Sequence, residues 1–384
     1  MDKPPFTDED FEDIRPYRDH EIHDVLNRIR RDPWILATFR RYLWPETPEF
    51  LENPVEKILL WYLGLRLLRI HSVDEFHRRF FRKTVLNAIK DRTIDDLTYS
   101  NFNYIDRTRG GLFITNHRDI VIDSAFLAYG LMKIGMKTPE IAFGDNLLIN
   151  PFVSDLIRIN KGFLVRRNLA VKEQILESLK LSKYIWFTLA NNRSIWLAQR
   201  GGRAKDGNDR TNPAIVKMIY LSQVKGGKSF SEYINDCGVV PVAISYEYDP
   251  CDVLKAREIY KRRSTGDYKK SSREDLISIL RGINEPKGRV HYSFCPQLTG
   301  SWENPQQVAE EIDKSIIQHY HVWPSGYIAY DLFNKTDKFS DRYSSEEREQ
   351  FIRRFEKCSS GEIQTAIEIY ARPLINKEEY GLEV

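Results

Sequence analysis

A histidine followed by two aspartates stands where an apolar segment ends, in the sequence TNHRDIVID of residues 115–123. An imidazole can take a proton from an attacking hydroxyl when a carboxylate holds its other ring nitrogen in one tautomer and stabilises the charged form. His117 is therefore a candidate general base, with Asp123 as its candidate partner and Asp119 as the rival partner. A histidine that caps a helix or has only a structural role is the alternative, and the motif alone does not decide between them.

Two basic motifs follow the histidine along the chain. The first, GFLVRR, ends an apolar segment with Arg166 and Arg167, and guanidinium groups bind phosphate or carboxylate oxygens bidentately. The second places Gly201 and Gly202 directly before Arg203, and glycines let the backbone approach a ligand closely. A solvated strand end and an ordinary basic turn have the same composition, so neither motif alone establishes a binding site.

Short apolar segments in the middle of the chain predict the strands that carry these residues. They alternate with helical patterns, which predicts an α/β fold with a central mixed sheet flanked by helices. The predicted strands cover residues 111–115, 140–144, 162–167, 194–199, 238–248 and 290–295. The predicted helices of this part and of the C-terminal part cover residues 125–132, 169–181, 252–284, 303–321 and 344–372.

The distribution of these patterns predicts three parts of the chain. Residues 1–100 form an N-terminal helical region, because apolar residues recur there at helical spacing and prolines interrupt them. Residues 101–335 form the α/β domain, and residues 336–384 form a C-terminal helical extension.

Composition and charge limit the possible partners. With 41% hydrophobic and 29% charged residues, the chain has the composition of an ordinary folded protein. A net charge of +3 is too small to indicate binding to nucleic acid or to an anionic membrane by itself. The 4 cysteines lack the paired spacing of a metal site or a disulfide framework, which predicts free thiols in a reducing compartment. The acidic, polar N-terminus has no apolar signal region, so secretion is not expected.

Taken in order, the motifs resemble the glycerolipid acyltransferase superfamily, which includes glycerol-3-phosphate and lysophosphatidate acyltransferases. That superfamily carries a His-x4-Asp block, a Gly-x-x-x-Arg-type block, a Glu-Gly-x-Arg block and an apolar block with a proline. The fourth block corresponds here to VVPVAISYEY at residues 239–248, to which we assign no catalytic residue. The resemblance covers residues 110–248, and the Gly-Gly-Arg turn is most similar to the glycerol-3-phosphate acyltransferase branch.

The resemblance implies an enzyme that transfers a fatty acyl group from acyl-CoA or an acyl carrier protein to a hydroxyl of a glycerol phosphate or lysophospholipid. It implies that His117 is the general base and that Arg166 or Arg167 binds the phosphate of the acceptor. Gly201, Gly202 and Arg203 correspond to the third block. The resemblance implies no metal and no cofactor besides the acyl co-substrate.

Two positions depart from the pattern of the superfamily. Five residues separate His117 from Asp123 instead of four, and a loop or a π-bulge would have to restore the contact that a regular helix does not provide. We prefer Asp123 over Asp119 because Asp123 opens the next helix, as the aspartate of the superfamily does. The glutamate of the third block is replaced by Arg200, which predicts either a more anionic acceptor or a rearranged site.

Several alternatives remain at this point. The acceptor could be an aminolipid precursor, or the chain could be a catalytically inactive lipid-binding relative. A nucleic-acid-binding module is the non-enzyme alternative, against which the small net charge and the four ordered motifs count. The HRD sequence at residues 117–119 also occurs in kinase catalytic loops, but neither a glycine-rich phosphate loop nor a downstream Asp-Phe-Gly accompanies it.

The sequence also predicts contact with a membrane surface. Residues 34–44 and 58–70 mix bulky apolar side chains with arginine, which suits helices that lie on a bilayer. A core helix is the alternative for residues 58–70, and that segment is too short and too charged to span a bilayer. We therefore expect a cytoplasmic protein attached peripherally at the inner face of the membrane.

Overall fold

The computed structural model of the chain describes residues 1–32, 49–67, 69–148, 150–167, 169–225, 227–269 and 273–384. Within these ranges, seven strands form one sheet. The strands are β1 Asp96–Ser100, β2 Leu112–Thr115, β3 Glu140–Gly144, β4 Gly162–Val165, β5 Ile195–Ala198, β6 Val239–Tyr246 and β7 Arg289–Phe294. Their order in the sheet is β1-β7-β6-β2-β5-β3-β4, and all neighbours are parallel except β6 and β7. The predicted central mixed sheet is confirmed.

Helices precede the first strand in the chain, connect the strands and follow the last strand. Before the first strand lie α1 Ile22–Arg31, α2 Glu49–Leu67, α3 Val73–Glu75, a π-helical stretch Phe76–Leu86 and α4 Asn87–Thr93. Within the sheet region lie α5 Ile122–Lys133, α6 Pro151–Ile159, α7 Val171–Ala190, α8 Pro213–Tyr220, α9 Phe230–Asp236, α10 Asp252–Thr265 and α11 Glu274–Asn284. After the last strand lie α12 Pro305–His319, α13 Pro324–Asn334, α14 Ser345–Arg353 and α15 Ser360–Glu379.

Strand β2 is apolar because both of its faces are buried. All four of its residues are buried, and it is hydrogen-bonded to parallel strands on both sides. Leu112 and Ile114 pack into one core with residues of α7, α8 and α12, whereas Phe113 packs on the opposite face with residues of α5. A strand that is covered on both faces is apolar throughout, and each such side chain contributes about 1.5–3 kcal/mol.

The predicted strands correspond to β2 through β7, with ends that differ by at most two residues. Strand β1 was not predicted, because its sequence DLTYS contains no apolar segment; it becomes a strand by pairing in parallel with β7 at the edge of the sheet. The helix predicted at residues 252–284 is interrupted, since α10 ends at Thr265 and is capped by Gly266, whose φ of 74° lies in the left-handed region.

The two ends of the chain contain apolar cores of their own. Residues of α1, the end of α2, α3 and the π-helical stretch pack together in one cluster. Residues of α10, α13 and α15 form another, which includes Phe351 and Phe355. The boundaries of the N-terminal region and of the C-terminal extension, at residues 100 and 335, stay predictions.

Of the two segments expected to lie on a bilayer, residues 34–44 fall outside the described residues, and residues 58–67 belong to α2. Among the described residues, no helix is both long enough and apolar enough to cross a bilayer. On α2 the side chains of Ile58, Trp61, Tyr62 and Leu65 are exposed rather than packed in a core.

Candidate active site

His117 lies in the loop that leads from β2 to α5, and Asp123 is the second residue of α5. The Nδ1 atom of His117 is 2.8 Å from Oδ2 of Asp123. A loop rather than a helix therefore joins the two residues, and it accommodates the five residues between them. The structure brings together the pair that we preferred from the sequence.

Hydrogen bonds from two directions hold the carboxylate of Asp123, which is fully buried. Its Oδ2 atom accepts from the backbone N–H groups of Arg118 at 2.6 Å and Asp119 at 2.9 Å, in addition to the His117 ring. Its Oδ1 atom accepts from the hydroxyl of Tyr246 at 2.7 Å. This arrangement fixes the carboxylate and assigns the proton of a neutral His117 to Nδ1.

The other nitrogen of the His117 ring is in position to act as a base. With 12% of its side chain exposed, His117 borders a cavity, and Nε2 has no hydrogen-bond partner within the described part of the chain. The ring of Trp196 packs edge-on against the imidazole, with ring centroids 5.5 Å apart. The imidazole is thus oriented on one side and open on the other.

Asp119 has a structural position instead. Its Oδ1 atom accepts from the backbone N–H groups of Val121 at 2.9 Å and Ile122 at 2.8 Å, where α5 begins. Burial, followed by the nearby charge of Asp123, raises the pKa of the Asp119 carboxyl. Its Oδ2 atom faces Gly282 of α11, where a Cβ atom would lie only 2.1 Å away, so this close approach requires glycine.

The loop after β5, which carries the third motif, packs against residues 116–121 between β2 and α5, which we call the histidine loop. The backbone N–H of Ala204 donates to the carbonyl oxygen of His117 at 2.9 Å. Gly202 has a φ of 78°, which is a left-handed conformation that favours glycine, and a Cβ atom at Gly201 would contact nothing within 4 Å. The glycines therefore shape a turn beside His117 and place no side chain above it.

A cavity of about 510 Å³ opens at the carboxyl ends of these strands. Its basic lining residues are His117, Arg167, Arg200, Arg203, Lys205 and Arg262, and its apolar lining includes Ala142, Phe143, Val165, Leu197, Ile215 and Met218. Gly201 and Gly202 also line it. A cavity that has a cationic part and an apolar part beside a histidine can hold an anionic group and a hydrocarbon chain at the same time.

The two adjacent arginines of the second motif are separated by the fold. Arg167 lines the cavity, and its guanidinium group packs over Gly144. Arg166 does not line the cavity, since its guanidinium group pairs with Glu177 at 2.8 Å and Asp13 at 2.9 Å. Only Arg167 of this pair is therefore placed to contact a ligand beside His117.

The remaining cations of the cavity differ in their pairing. Lys205 forms an ion pair with Glu258, and Arg203 donates to the hydroxyl of Ser278 at 3.1 Å. Among the described residues, neither Arg167 nor Arg200 forms a side-chain ion pair, and both line the cavity. Charge without a carboxylate partner favours a phosphate or carboxylate ligand at these two residues.

A buried network of charges supports the histidine loop, and no spacing of residues in the sequence identifies this network. The guanidinium group of Arg118 pairs with Asp209, and Nζ of Lys255 donates to the carbonyl oxygen of Arg118 at 2.7 Å. Lys255 also pairs with Asp249, and all of these side chains are buried. Tyr246 was missed for the same reason, because only the pairing of distant strands brings it to Asp123.

Within the described residues, no three His, Cys, Asp or Glu side chains are grouped to hold a metal ion.

Comparisons with known proteins give one family match, two relatives by sequence and one solved structure. Residues 96–245 match the sequence model of the acyltransferase family. The glycerol-3-phosphate acyltransferase of Pseudomonas fluorescens (strain SBW25) is 23% identical over 218 residues, which is 56% of this chain and 24% of the relative. The mitochondrial glycerol-3-phosphate acyltransferase 1 of Rattus norvegicus is 30% identical over 176 residues, which is 45% of this chain and 19% of the relative.

The chain thus spans about a quarter of the length of these relatives or less. Among solved structures, the 1-acyl-sn-glycerophosphate (LPA) acyltransferase of Thermotoga maritima is similar over 67% of this chain and 86% of its own, with 15% sequence identity and a TM-score of 0.33.

Proposed function

We propose that this chain, whose residues 96–245 match the sequence model of the acyltransferase family, transfers a fatty acyl group to a hydroxyl of a glycerol phosphate or lysophospholipid in membrane lipid synthesis. The acyl donor is a thioester, either acyl-CoA or an acyl carrier protein, and the reaction needs no further cofactor. The observation that carries this proposal is the hydrogen-bonded pair of His117 and Asp123 at a cavity that also exposes Arg167 and Arg200.

The proposed reaction is a direct transfer. Nε2 of His117 takes the proton of the acceptor hydroxyl while the oxygen attacks the thioester carbonyl carbon. The carbonyl re-forms as the C–S bond breaks, and the imidazolium returns its proton to the departing thiolate. Asp123 stabilises the imidazolium between these two steps, and the arginines hold the phosphate of the acceptor so that its hydroxyl lies near Nε2.

The proposal is tested by incubating purified protein with an acyl-CoA or an acyl carrier protein thioester and a panel of acceptors. Glycerol 3-phosphate and lysophosphatidate are expected to yield an acylated product by mass spectrometry, with release of one thiol per ester formed. Transfer only to an amine would support the aminolipid alternative instead. Thioester binding without transfer to any acceptor would identify an inactive relative and contradict the proposal.

Replacing Arg167 with alanine is expected to raise the KM of the phosphate-bearing acceptor about tenfold or more, because a charge-assisted hydrogen bond to the acceptor is lost. The KM of the donor should change little, which steady-state kinetics with each substrate varied in turn will show. Arg200→Ala should behave in the same way.

Arg166→Ala is the matched control, since it removes an identical side chain one residue away that pairs with Glu177 and Asp13 outside the cavity. Both KM values should stay at the wild-type level in this variant. A rise in the donor KM for Arg167→Ala would place the phosphates of the acyl carrier there instead. Unchanged KM values in all three variants would exclude a phosphate site at these arginines.

We further propose that the protein works in the cytoplasm, attached peripherally at the inner face of the membrane through α2. Ile58, Trp61, Tyr62 and Leu65 follow the i, i+3, i+4, i+7 spacing of one helix face, and Trp61 is 66% exposed. Arg66 follows directly, with its guanidinium group 5.0 Å from the ring centre of Tyr62. An exposed apolar stripe with an adjacent cation fits the interface of an anionic bilayer.

In flotation with anionic liposomes at low salt, the wild-type protein should rise with the lipid and Trp61→Glu should not, because a charge opposes insertion of this face. Ile352→Glu changes an exposed apolar residue of α14 and serves as the control that should still float. Wild-type protein that remains entirely in the soluble fraction would contradict attachment through α2.

A further inference from the structure

A tyrosine from β6, a strand to which we assigned no catalytic residue, contacts the pair of His117 and Asp123 on the side of the aspartate. Tyr246 is the last residue of β6, which pairs with β2 at the point where the histidine loop begins. Its hydroxyl donates to Oδ1 of Asp123 at 2.7 Å, on the side of the carboxylate opposite to the His117 contact. Within the described residues it is the only donor to this oxygen, whereas Oδ2 receives three.

The tyrosine remains a proton donor throughout the range in which an enzyme works. Burial, followed by the charge of Asp123, raises the pKa of the Tyr246 hydroxyl well above its usual value. Its hydrogen bond therefore always stabilises the ionised form of the carboxylate. A carboxylate whose negative charge is shared with a second donor attracts the proton of an imidazolium less strongly.

We propose that Tyr246 is a positioning residue that holds the plane of the Asp123 carboxylate and limits the basicity of His117. The proposal rests on the proposed function, because it assigns Tyr246 a part in the same base. Without the hydroxyl, Oδ1 would be left buried and unpaired, and the plane of the carboxylate would be less firmly fixed, although Oδ2 would still accept from Nδ1 and two backbone N–H groups. More of the negative charge would then act on the imidazole.

Other charged and titratable groups surround this pair and must be unchanged in a test. From β7, the hydroxyl of Tyr292 donates to the backbone carbonyl oxygens of Ile122 at 3.2 Å and Asp123 at 3.1 Å. The carboxyl of Asp119 and the guanidinium group of Arg118 belong to the histidine loop itself. The charges of Arg203, from the loop after β5, and of Lys287, which precedes β7, act on Asp119.

The test is Tyr246→Phe, which removes the hydroxyl and keeps the ring. The titration midpoint of the His117 imidazole, followed by the NMR signal that is missing in His117→Ala, is expected to move to higher pH. If the chain transfers acyl groups as proposed, the acid limb of kcat/KM should move in the same direction, and kcat should fall about tenfold. Neither KM should change, because Tyr246 lines no part of the cavity.

Tyr99→Phe is the matched control, since it removes a hydroxyl that donates to the backbone carbonyl oxygen of Phe126 at 2.7 Å and does not contact the Asp123 carboxylate. It should lower the melting temperature without moving the imidazole titration. A titration in Tyr246→Phe that coincides with the wild type, together with a normal acid limb, would reduce Tyr246 to a structural residue and overturn the inference. The wild-type protein could also transfer no acyl group while the imidazole titration still shifts in Tyr246→Phe. That result would uphold the inference and contradict the proposed function.

Discussion

Replacing His117 with alanine is expected to lower the kcat of acyl transfer about 10²–10⁴-fold, the usual effect of removing a general base. The fold should persist, because the side chain contributes a single hydrogen bond at the border of a cavity. The KM values of donor and acceptor should change little, since the arginines and the apolar lining that bind them remain. Steady-state kinetics and thermal melting of the purified variant provide the measurement.

His319→Ala is a suitable control for this experiment. His319 is also partly buried and also makes one hydrogen bond through Nδ1, at 2.9 Å to the carbonyl oxygen of Ser315 at the end of α12. Its replacement should leave kcat unchanged. Added imidazole should partly restore the activity of His117→Ala, because the cavity can admit it. Activity in His117→Ala close to that of the wild type would show that another group is the base.

Replacing Asp123 with asparagine should be nearly as damaging, with a loss of about 10²–10⁴-fold in kcat. An amide oxygen can still accept from Nδ1 and from the two backbone N–H groups, but a neutral amide does not stabilise the imidazolium. Asparagine also presents an amide N–H₂ group to Tyr246, whose hydroxyl must then accept instead of donate. The loss should appear in kcat for every acceptor, because it concerns the base and not binding.

Asp119→Asn is the control for this variant, because it changes the other aspartate of the same loop. Asp119 contacts the backbone of Val121 and Ile122 through Oδ1, and an amide oxygen can take over both contacts. We expect a change in kcat of less than about tenfold for Asp119→Asn. Kinetics of the two variants side by side give the ranking. If Asp119→Asn loses more activity than Asp123→Asn, the partner of the base has been assigned to the wrong residue.

The sequence by itself determined the central sheet and the region of the candidate site. Six of the seven strands are visible as apolar segments, because a strand such as β2 or β6, buried on both faces, must be apolar along its whole length. The histidine loop and the glycine turn follow two such strands, and parallel neighbours bring their ends to the same edge of the sheet. The two loops are therefore close together, and the backbone N–H of Ala204 donates to the carbonyl oxygen of His117.

The tertiary structure alone decided which side chains meet. Adjacent residues of an extended segment point to opposite sides. Arg167 therefore lines the cavity, whereas Arg166 pairs with Asp13 and Glu177. The sequence of two adjacent arginines does not distinguish these two positions. Tyr246 contacts Asp123, and Lys255 contacts Arg118, from more than a hundred residues away, because strand order and helix packing place them there. Strand β1 likewise exists only because β7 offers its edge. Apolar periodicity reports the burial of each segment, which is local, whereas partners of a buried charge are selected by contacts between segments that are remote in sequence.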